Sequence, residues 1–496
     1  MSIKADIAKP YARMVSSAVM RRAMDPVAAQ RRVLRRLIAR GAATAFGRDH
    51  RLEQVQGHAD LVQAVPLRDY EGLRPYLART IAGEPDVLWP GRPLYLCKTS
   101  GTTSGAKYIP ITRESLPVHI GGARRALLAY IARTGNAAFL GGKMIFLQGS
   151  PVLDRSGAIP SGRLSGIVAN HVPAYLLKNR MPSFATNSIP DWETKVDAIV
   201  EETMGADMRL ISGIPAWVQM YFERLLARTG RPDVRSVFPN FSLFVYGGVN
   251  YAPYRDRMRT LIGGEVDSVE TFPASEGFIA YQDQGPDDGL LLVLDNGIHY
   301  GFVPMAPATD GTARRVLSIE DVQVGVQYAL VLYTNAGLWG YEIGDTVRFV
   351  SLTPPRIVVT GRTKHFTSAF GEHVIAEEVE GALRDAVAEA PCEVAEFTLA
   401  PQLVPPHGGL PYHEWFIEFT APPADMERFA RVMDAALQRR NIYYRDLITG
   451  NVLRPLVVTT VPRGGFARWM KARGMHDAQS KVPRLANDRR YVEGLV

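Results

Sequence analysis

Lys98-Thr-Ser-Gly-Thr-Thr-Ser-Gly-Ala-Lys-Tyr-Ile-Pro110 is the stretch that gives the chain its meaning. From Lys98 to Lys107 it holds five hydroxyl residues, two glycines and two lysines in ten positions. Gly101 and Gly105 let the backbone approach an anion and turn its N–H groups inward. Ser100, Thr102, Thr103 and Ser104 add hydroxyl donors, and Lys107 adds a point charge. The glycines stand four apart and no Gly-Lys-Ser/Thr follows, so this is not Walker A spacing. A phosphate-binding loop is the expectation.

Outward from this loop, residues 11–46 read as helix, with Val33, Leu34, Leu37 and Ile38 spaced among arginines. A second helical stretch covers 118–133. From about residue 140 the pattern changes to short apolar runs bounded by Gly and Pro. Met144–Leu147, Leu243–Tyr246, Leu290–Leu294 and Tyr328–Tyr333 read as buried strands. Helical segments at 193–205 and 214–228 lie between them, which predicts a large α/β domain. Past Gly361 a polar segment runs to Gly371. It is followed by a helix over Glu377–Glu389, whose Val379, Leu383 and Val387 share one face. Strands near 394–399, 415–420 and 455–461 and a helix at 425–440 make a small α+β unit. The expected division is residues 1–361 and 362–496, with Gly361 as hinge and the Pro-rich stretch 401–411 as a surface loop of the second domain.

The length of 496 residues suits two or three domains, and 46% hydrophobic with 22% charged residues is ordinary globular composition. Two cysteines far apart exclude a disulfide framework and a cysteine zinc site. No apolar run approaches 18 residues, so no membrane span is expected. The Arg-rich N-terminus carries Asp6 and Asp25 and reads as a surface helix rather than a targeting segment. A cytoplasmic protein with no membrane partner follows. The net charge of +7 is not concentrated in a basic block, and no nucleic-acid motif accompanies it. Only ten of the 57 basic residues are lysine, which singles out Lys364, Lys471 and Lys481 in the last third of the chain.

Thr99-Ser-Gly-Thr-Thr-Ser-Gly105 followed by Lys107 resembles the signature loop of the adenylate-forming superfamily of acyl-CoA ligases, luciferases and peptide-synthetase adenylation domains. With Lys107-Tyr-Ile-Pro110 after it, the wording is closer to one branch: the auxin-responsive acyl-acid amido synthetases of plants and their bacterial relatives. Five further segments resemble that family's motifs, in its order. They are Tyr246-Gly-Gly-Val249, Phe272-Pro-Ala-Ser-Glu-Gly277 and Gly337-Leu-Trp-Gly-Tyr-Glu-Ile-Gly-Asp345. Gly361-Arg-Thr-Lys364 follows, with Gly371-Glu-His-Val and Glu377-Glu-Val-Glu380 after it. The last is Gly465-Phe-Ala-Arg-Trp-Met470 with Gln479-Ser-Lys-Val-Pro-Arg484.

The resemblance implies a fold of a large adenylate-forming domain, with β-sheets flanked by helices, and a small mobile C-terminal domain. It also implies roles. The loop would hold the β- and γ-phosphates of ATP. Gly247 and Gly248 would lie along the adenine and Phe272 would offer it an apolar face. Ser275 would bond the α-phosphate, and Glu276 would hold Mg2+, a hard cation that needs few protein carboxylates. Tyr341 and Asp345 belong to the nucleotide site, where one carboxylate can accept from both ribose hydroxyls. Arg362 would contact the ribose or α-phosphate, Lys364 would serve the hinge, and Lys481 would stabilise the adenylation transition state. Lys471 reads as a surface residue. Gly340 and Glu342 replace an Arg usual in plant members, and His373 replaces a Lys, so plant substrate identity does not transfer.

The implied activity is amide synthesis. ATP adenylates a carboxylic acid, releasing pyrophosphate, and the acyl group passes to the amine of an amino acid, releasing AMP. An acyl-CoA ligase would share the first half and differ in its acceptor. A catalytically dead scaffold would not keep Lys481, Asp345 and Glu276. ATP and Mg2+ are the expected cofactors, a small acid and an amine the partners, nucleic acid is not expected, and a monomer is. An apolar acid would suit Phe139, Val172, Tyr175 and Leu176, but core packing accounts for those residues equally well.

Overall fold

The computed structural model describes residues 3–495 except 103–104, 173–176, 249–250, 252–253, 306–314, 363–365, 368, 373, 473–481, 483, 487–488 and 490–491. Of the residues within these bounds, the side chains of 3–5, 100–102, 105–106, 192–193, 216, 362, 366–367, 377 and 471 are also outside the description. The helical tract expected over 11–46 is broken into Ile3–Ala23, Pro26–Gly41 and Ala45–Asp49. The reason is local. The Asp25 side chain accepts from Ala28 N and Pro26 opens the second helix, and the Thr44 side chain caps the third by accepting from Gly47 N.

Strands β1 (Tyr95–Thr102) and β2 (Gly105–Ile111) form an antiparallel hairpin. Next along the chain is β3 (Lys143–Phe146), then β4 (Ser161–Gly162), which runs parallel to β1. β5 (Arg180–Met181), β6 (Met208–Ser212), β7 (Leu243–Gly247) and β8 (Asp267–Ala274) join β3 in the parallel half of one large sheet. β9 (Gly277–Gln282), β10 (Leu290–Leu292), β11 (Ile298–Pro304), β12 (Gln327–Thr334), β13 (Tyr341–Leu352) and β14 (Pro355–Arg362) make the antiparallel half. The order is β11-β12-β13-β14-β10-β9-β8-β7-β6-β3-β5, eleven strands. β9 is buried at every position and β12 at every position but its first, which is why they read as continuous apolar runs. Crossover helices Trp192–Thr203 and Pro215–Thr229 link the parallel strands.

Two short strands, β15 (Phe366–Thr367) and β16 (Val374–Ile375), precede the helix Ala376–Glu389. A second sheet follows: β17 (Glu393–Gln402), β18 (Tyr412–Ala421) and β19 (Val457–Val461), in that order. The expected two helices are four among the described residues, because Ile442–Thr449 and Gly465–Ala472 add to Ala376–Glu389 and Met426–Arg440. One apolar core runs from Ile145 and Phe244 of the large sheet through Phe370 and Val374 to Trp415 and Leu437, so the small unit packs directly on the parallel half. Below it, the fully buried His413 Nε2 meets Glu372 Oε1 at 2.8 Å, and Glu372 also accepts from Phe370 N. Gly361 lies inside β14, opposite Thr346.

Candidate active site

The phosphate-loop candidate is the tip of the β1–β2 hairpin. Pairing runs from Tyr95 opposite Ile111 to Thr99 opposite Lys107, and resumes at Thr102 opposite Gly105, with a bulge between. Thr103 and Ser104, at the tip, lie outside the described residues. The stem is anchored by Tyr108 N, which donates to the Tyr70 phenol oxygen (3.0 Å), and the Lys107 ammonium lies 5.8 Å from the centre of that ring.

Ser275 and Glu276 are the two-residue connection between β8 and β9, with Ala274 opposite Gly277. The register slips between Phe272 and Pro273, which lets a strand carry a proline and re-aims the turn that follows. Glu276 is only 9% exposed. The hairpin and this turn meet through Cys97, whose thiol donates to the Ser275 hydroxyl at 3.2 Å. Burial pushes the Cys97 thiol up to about 12, and the nearby Glu276 charge pushes the same way. The sequence offered no reason to include Cys97 beyond its place one residue before the motif.

Gly247 ends β7 beside Thr271 of β8. A Cβ on Gly247 would lie 2.3 Å from the Thr271 carbonyl, so only glycine fits between these strands. Gly248 has φ +83°, a left-handed conformation that favours glycine. Phe272 is buried in β8 opposite Ala280. The ends of β7 and β8 therefore present Gly247, Gly248, Ser275 and Glu276 along one carboxyl edge of the parallel half, where open α/β sheets bind ligands.

Asp345 pairs with Arg362 across β13 and β14, four positions along the sheet from β8. The motif leading to Asp345 has a structural half. Trp339 is fully buried with its indole N–H donating to Leu88 O (3.0 Å), and Arg68 N donates to Gly340 O (2.9 Å). Tyr341, also buried, starts β13 from this anchor. Lys364 and Lys481, the hinge and catalytic candidates, lie outside the described residues, as do His373, Tyr175, Leu176 and the Arg362 side chain. Phe139 packs in the core against Tyr130. Sequence reasoning also missed Lys195. It is 2% exposed, donates to Gln148 O (3.1 Å), and is lowered to about 8 by burial and by Arg163.

Three family models match in order: the GH3 family N-terminal domain over residues 17–196, its central domain over 291–362 and its C-terminal domain over 377–490. The chain belongs to the GH3 family. Among curated relatives, the probable indole-3-acetic acid-amido synthetase GH3.1 of Arabidopsis thaliana is 27% identical, over 42% of this chain and 36% of that protein. The indole-3-acetic acid-amido synthetase GH3.3 of the same plant is 23% identical, over 51% and 45%. The chain thus spans less than half the length of these GH3 relatives. The probable indole-3-acetic acid-amido synthetase GH3.1 of Oryza sativa subsp. japonica aligns more widely, 21% identical over 94% and 88%. Among solved structures, the GH3.15 acyl acid amido synthetase superposes with a TM-score of 0.60 at 17% identity, covering 97% of this chain and 95% of that one. A 2-hydroxyisobutyryl-CoA ligase in complex with 2-HIB-AMP and CoA gives 0.59 at 16%, covering 96% and 93%. At these identities the two structures establish the fold alone, a mixed α/β architecture shared with both enzymes.

Proposed function

We propose that this chain is an ATP-dependent acyl-acid amido synthetase, a ligase that forms AMP and a carbon–nitrogen bond. Support comes from GH3 family membership, from relatives named as indole-3-acetic acid-amido and jasmonoyl–L-amino acid synthetases, and from the site itself. The observation that carries the reading is the Cys97–Ser275 bond, because it brings the phosphate hairpin to the Ser275–Glu276 turn.

A carboxylate does not react with an amine at neutral pH, since its oxide is a poor leaving group. In the first step a carboxylate oxygen attacks the α-phosphorus of ATP and pyrophosphate leaves. In the second the amine attacks the acyl carbonyl, AMP leaves and the amine proton goes to solvent. The protein's share is mostly position and charge. Ser100, Gly101, Thr102, Thr103, Ser104, Gly105 and Lys107 hold the outer phosphates. Ser275 bonds the α-phosphate, Gly247, Gly248 and Phe272 border the adenine, Tyr341 and Asp345 with Arg362 hold the ribose side, and Lys481 steadies the charge that develops on attack. Among the described residues no group of three or more His, Cys, Asp or Glu could cage a metal. That fits Mg2+ held by Glu276 and the substrate phosphates together. When bound, the ion neutralises phosphate charge.

The same reading divides the chain at 361 into an ATP- and acyl-binding domain and a mobile domain carrying Lys481, with Lys364 at the hinge. It makes the protein a cytoplasmic monomer and a bacterial relative of the plant synthetases. Among the described residues no helix is long and apolar enough to cross a membrane.

Acid-dependent ATP–pyrophosphate exchange tests the first step, and Lys481→Ala is expected to nearly abolish it. Mass spectrometry of products from pooled acids and pooled amines with ATP and magnesium tests the second. No exchange across a broad acid panel would sink the proposal. Consumption of the adenylate by CoA but not by amino acids would instead favour an acyl-CoA ligase, the reading to which the fold of the 2-hydroxyisobutyryl-CoA ligase lends support.

A further inference from the structure

The hairpin that carries the phosphate loop has an exposed-edge problem at its base. Lys98 stands opposite Tyr108, and Tyr108 N is turned to Tyr70 rather than to β1. The pair is therefore the non-hydrogen-bonded kind, and the Lys98 carbonyl points away from β2. On that outer side β4 pairs only with Leu96 and Cys97 and then stops. From Lys98 onward the edge needs a donor for its outward carbonyl, since an unmatched buried carbonyl is costly.

Tyr443 supplies it. This residue lies in the first turn of the helix Ile442–Thr449 of the small unit, and its phenol donates to Lys98 O at 3.1 Å. The Thr99 side chain lies beside the same phenol. The ring is held from the other side by Arg163, whose guanidinium carbon lies 4.4 Å from the ring centre and which pairs with Asp446 of the same helix. Arg163 directly follows β4, so its place is set by the β1–β4 pairing. The contacts close a ring: β1, β4, Arg163, Tyr443 and back to β1. The helix is fixed in turn, because the Asn441 side chain caps it by accepting from Tyr444 N (2.8 Å), and the Tyr444 phenol donates to Asp434 (2.6 Å).

We propose that Tyr443 is a positioning residue for ATP: its phenol replaces a missing strand at the base of the phosphate hairpin and fixes the course of β1 at Lys98, where it leads into the phosphate loop. This rests on the reading of that loop as the phosphate site. Tyr443 touches no substrate in this role. It acts through the Lys98 and Thr99 backbone and side chain.

The test is ATP affinity, measured by titration of the full chain without any acid, alongside exchange kinetics. Tyr443→Phe keeps the ring on Arg163 and deletes one donor. It should weaken ATP binding, and raise the KM for ATP in exchange, by roughly tenfold. The KM for the acid and the thermal midpoint should stay near wild type. Arg163→Gln, which loosens the ring without touching the phenol, should shift ATP in the same direction by a smaller factor. Unchanged ATP affinity in Tyr443→Phe overturns the proposal, as does a fall in kcat alone, which a merely structural tyrosine would give. Wild type that binds ATP but exchanges no pyrophosphate would sink the amide-synthetase reading and leave the Tyr443 comparison intact.

Discussion

At the residue scale the proposed function gives the carboxylates Glu276 and Asp345 different work, and substitution tests that division. Glu276→Gln keeps shape and removes charge from a buried turn beside Ser275. If it holds the metal, exchange should fall by about 10²-fold or more at saturating ATP, a loss in kcat. Asp345→Asn keeps one acceptor oxygen for the ribose and loses the charge-assisted bond. It should raise the KM for ATP by roughly 10- to 100-fold with a smaller change in kcat. Exchange rates over an ATP series distinguish the two patterns, and equal patterns would refute the division of roles. Both residues stood out in the sequence because a short motif surrounds each. Cys97 and Tyr443 were not, because what matters about them is a partner 178 and 345 residues away in the chain.

At the element scale the close approach of β7 and β8 makes a graded prediction. Gly247→Ala places a methyl 2.3 Å from the Thr271 carbonyl, and backbone cannot swing aside as a side chain can. The strands must part, at about 1–3 kcal/mol. Gly248→Ala meets nothing within 4 Å and bears only the left-handed φ, at about 1–2 kcal/mol. Urea denaturation should rank Gly247→Ala as the less stable, and the reverse order would discount the clash. Strands with both faces covered were readable in advance where the apolar run is nearly unbroken, as in β12, expected over Tyr328–Tyr333; β9, equally buried, was not singled out. The β1 strand was not. Its residues Lys98–Thr102 are polar or glycine, and they become strand because β2 pairs with them and Tyr443 donates to the Lys98 carbonyl. The helix Ile442–Thr449 was missed for another reason: its cap, Asn441, follows Arg440 of the preceding helix with no intervening turn residue.

For the whole molecule, two buried histidines tie stability to pH. Burial lowers His119 to about 4, and burial with the neighbouring His58 lowers His299 to about 3. Each is neutral when folded and takes a proton more readily when unfolded, where the pKa is near 6.5. Their contribution is full above that value and is lost as pH falls through 6.5 toward the folded values. Each adds a slope of up to about 1.4 kcal/mol per pH unit. Denaturation midpoints should fall from pH 6.5 to 4.5, and His119→Leu should flatten the slope by up to that amount. An unaltered slope would mean that His119 is already charged in the fold. The order of the six motifs foretold this architecture. How β13 and β14 come to share a sheet with β8 was not foretold, since strand order belongs to three dimensions. The buried Cys97 has one more consequence. With its thiol sealed against Ser275 and its pKa near 12, thiol-reactive dyes have only Cys392 to attack, partly exposed just ahead of β17. The unmutated chain thus carries a single chemical handle on its small unit, ready for a fluorophore or spin label that reports where that unit stands.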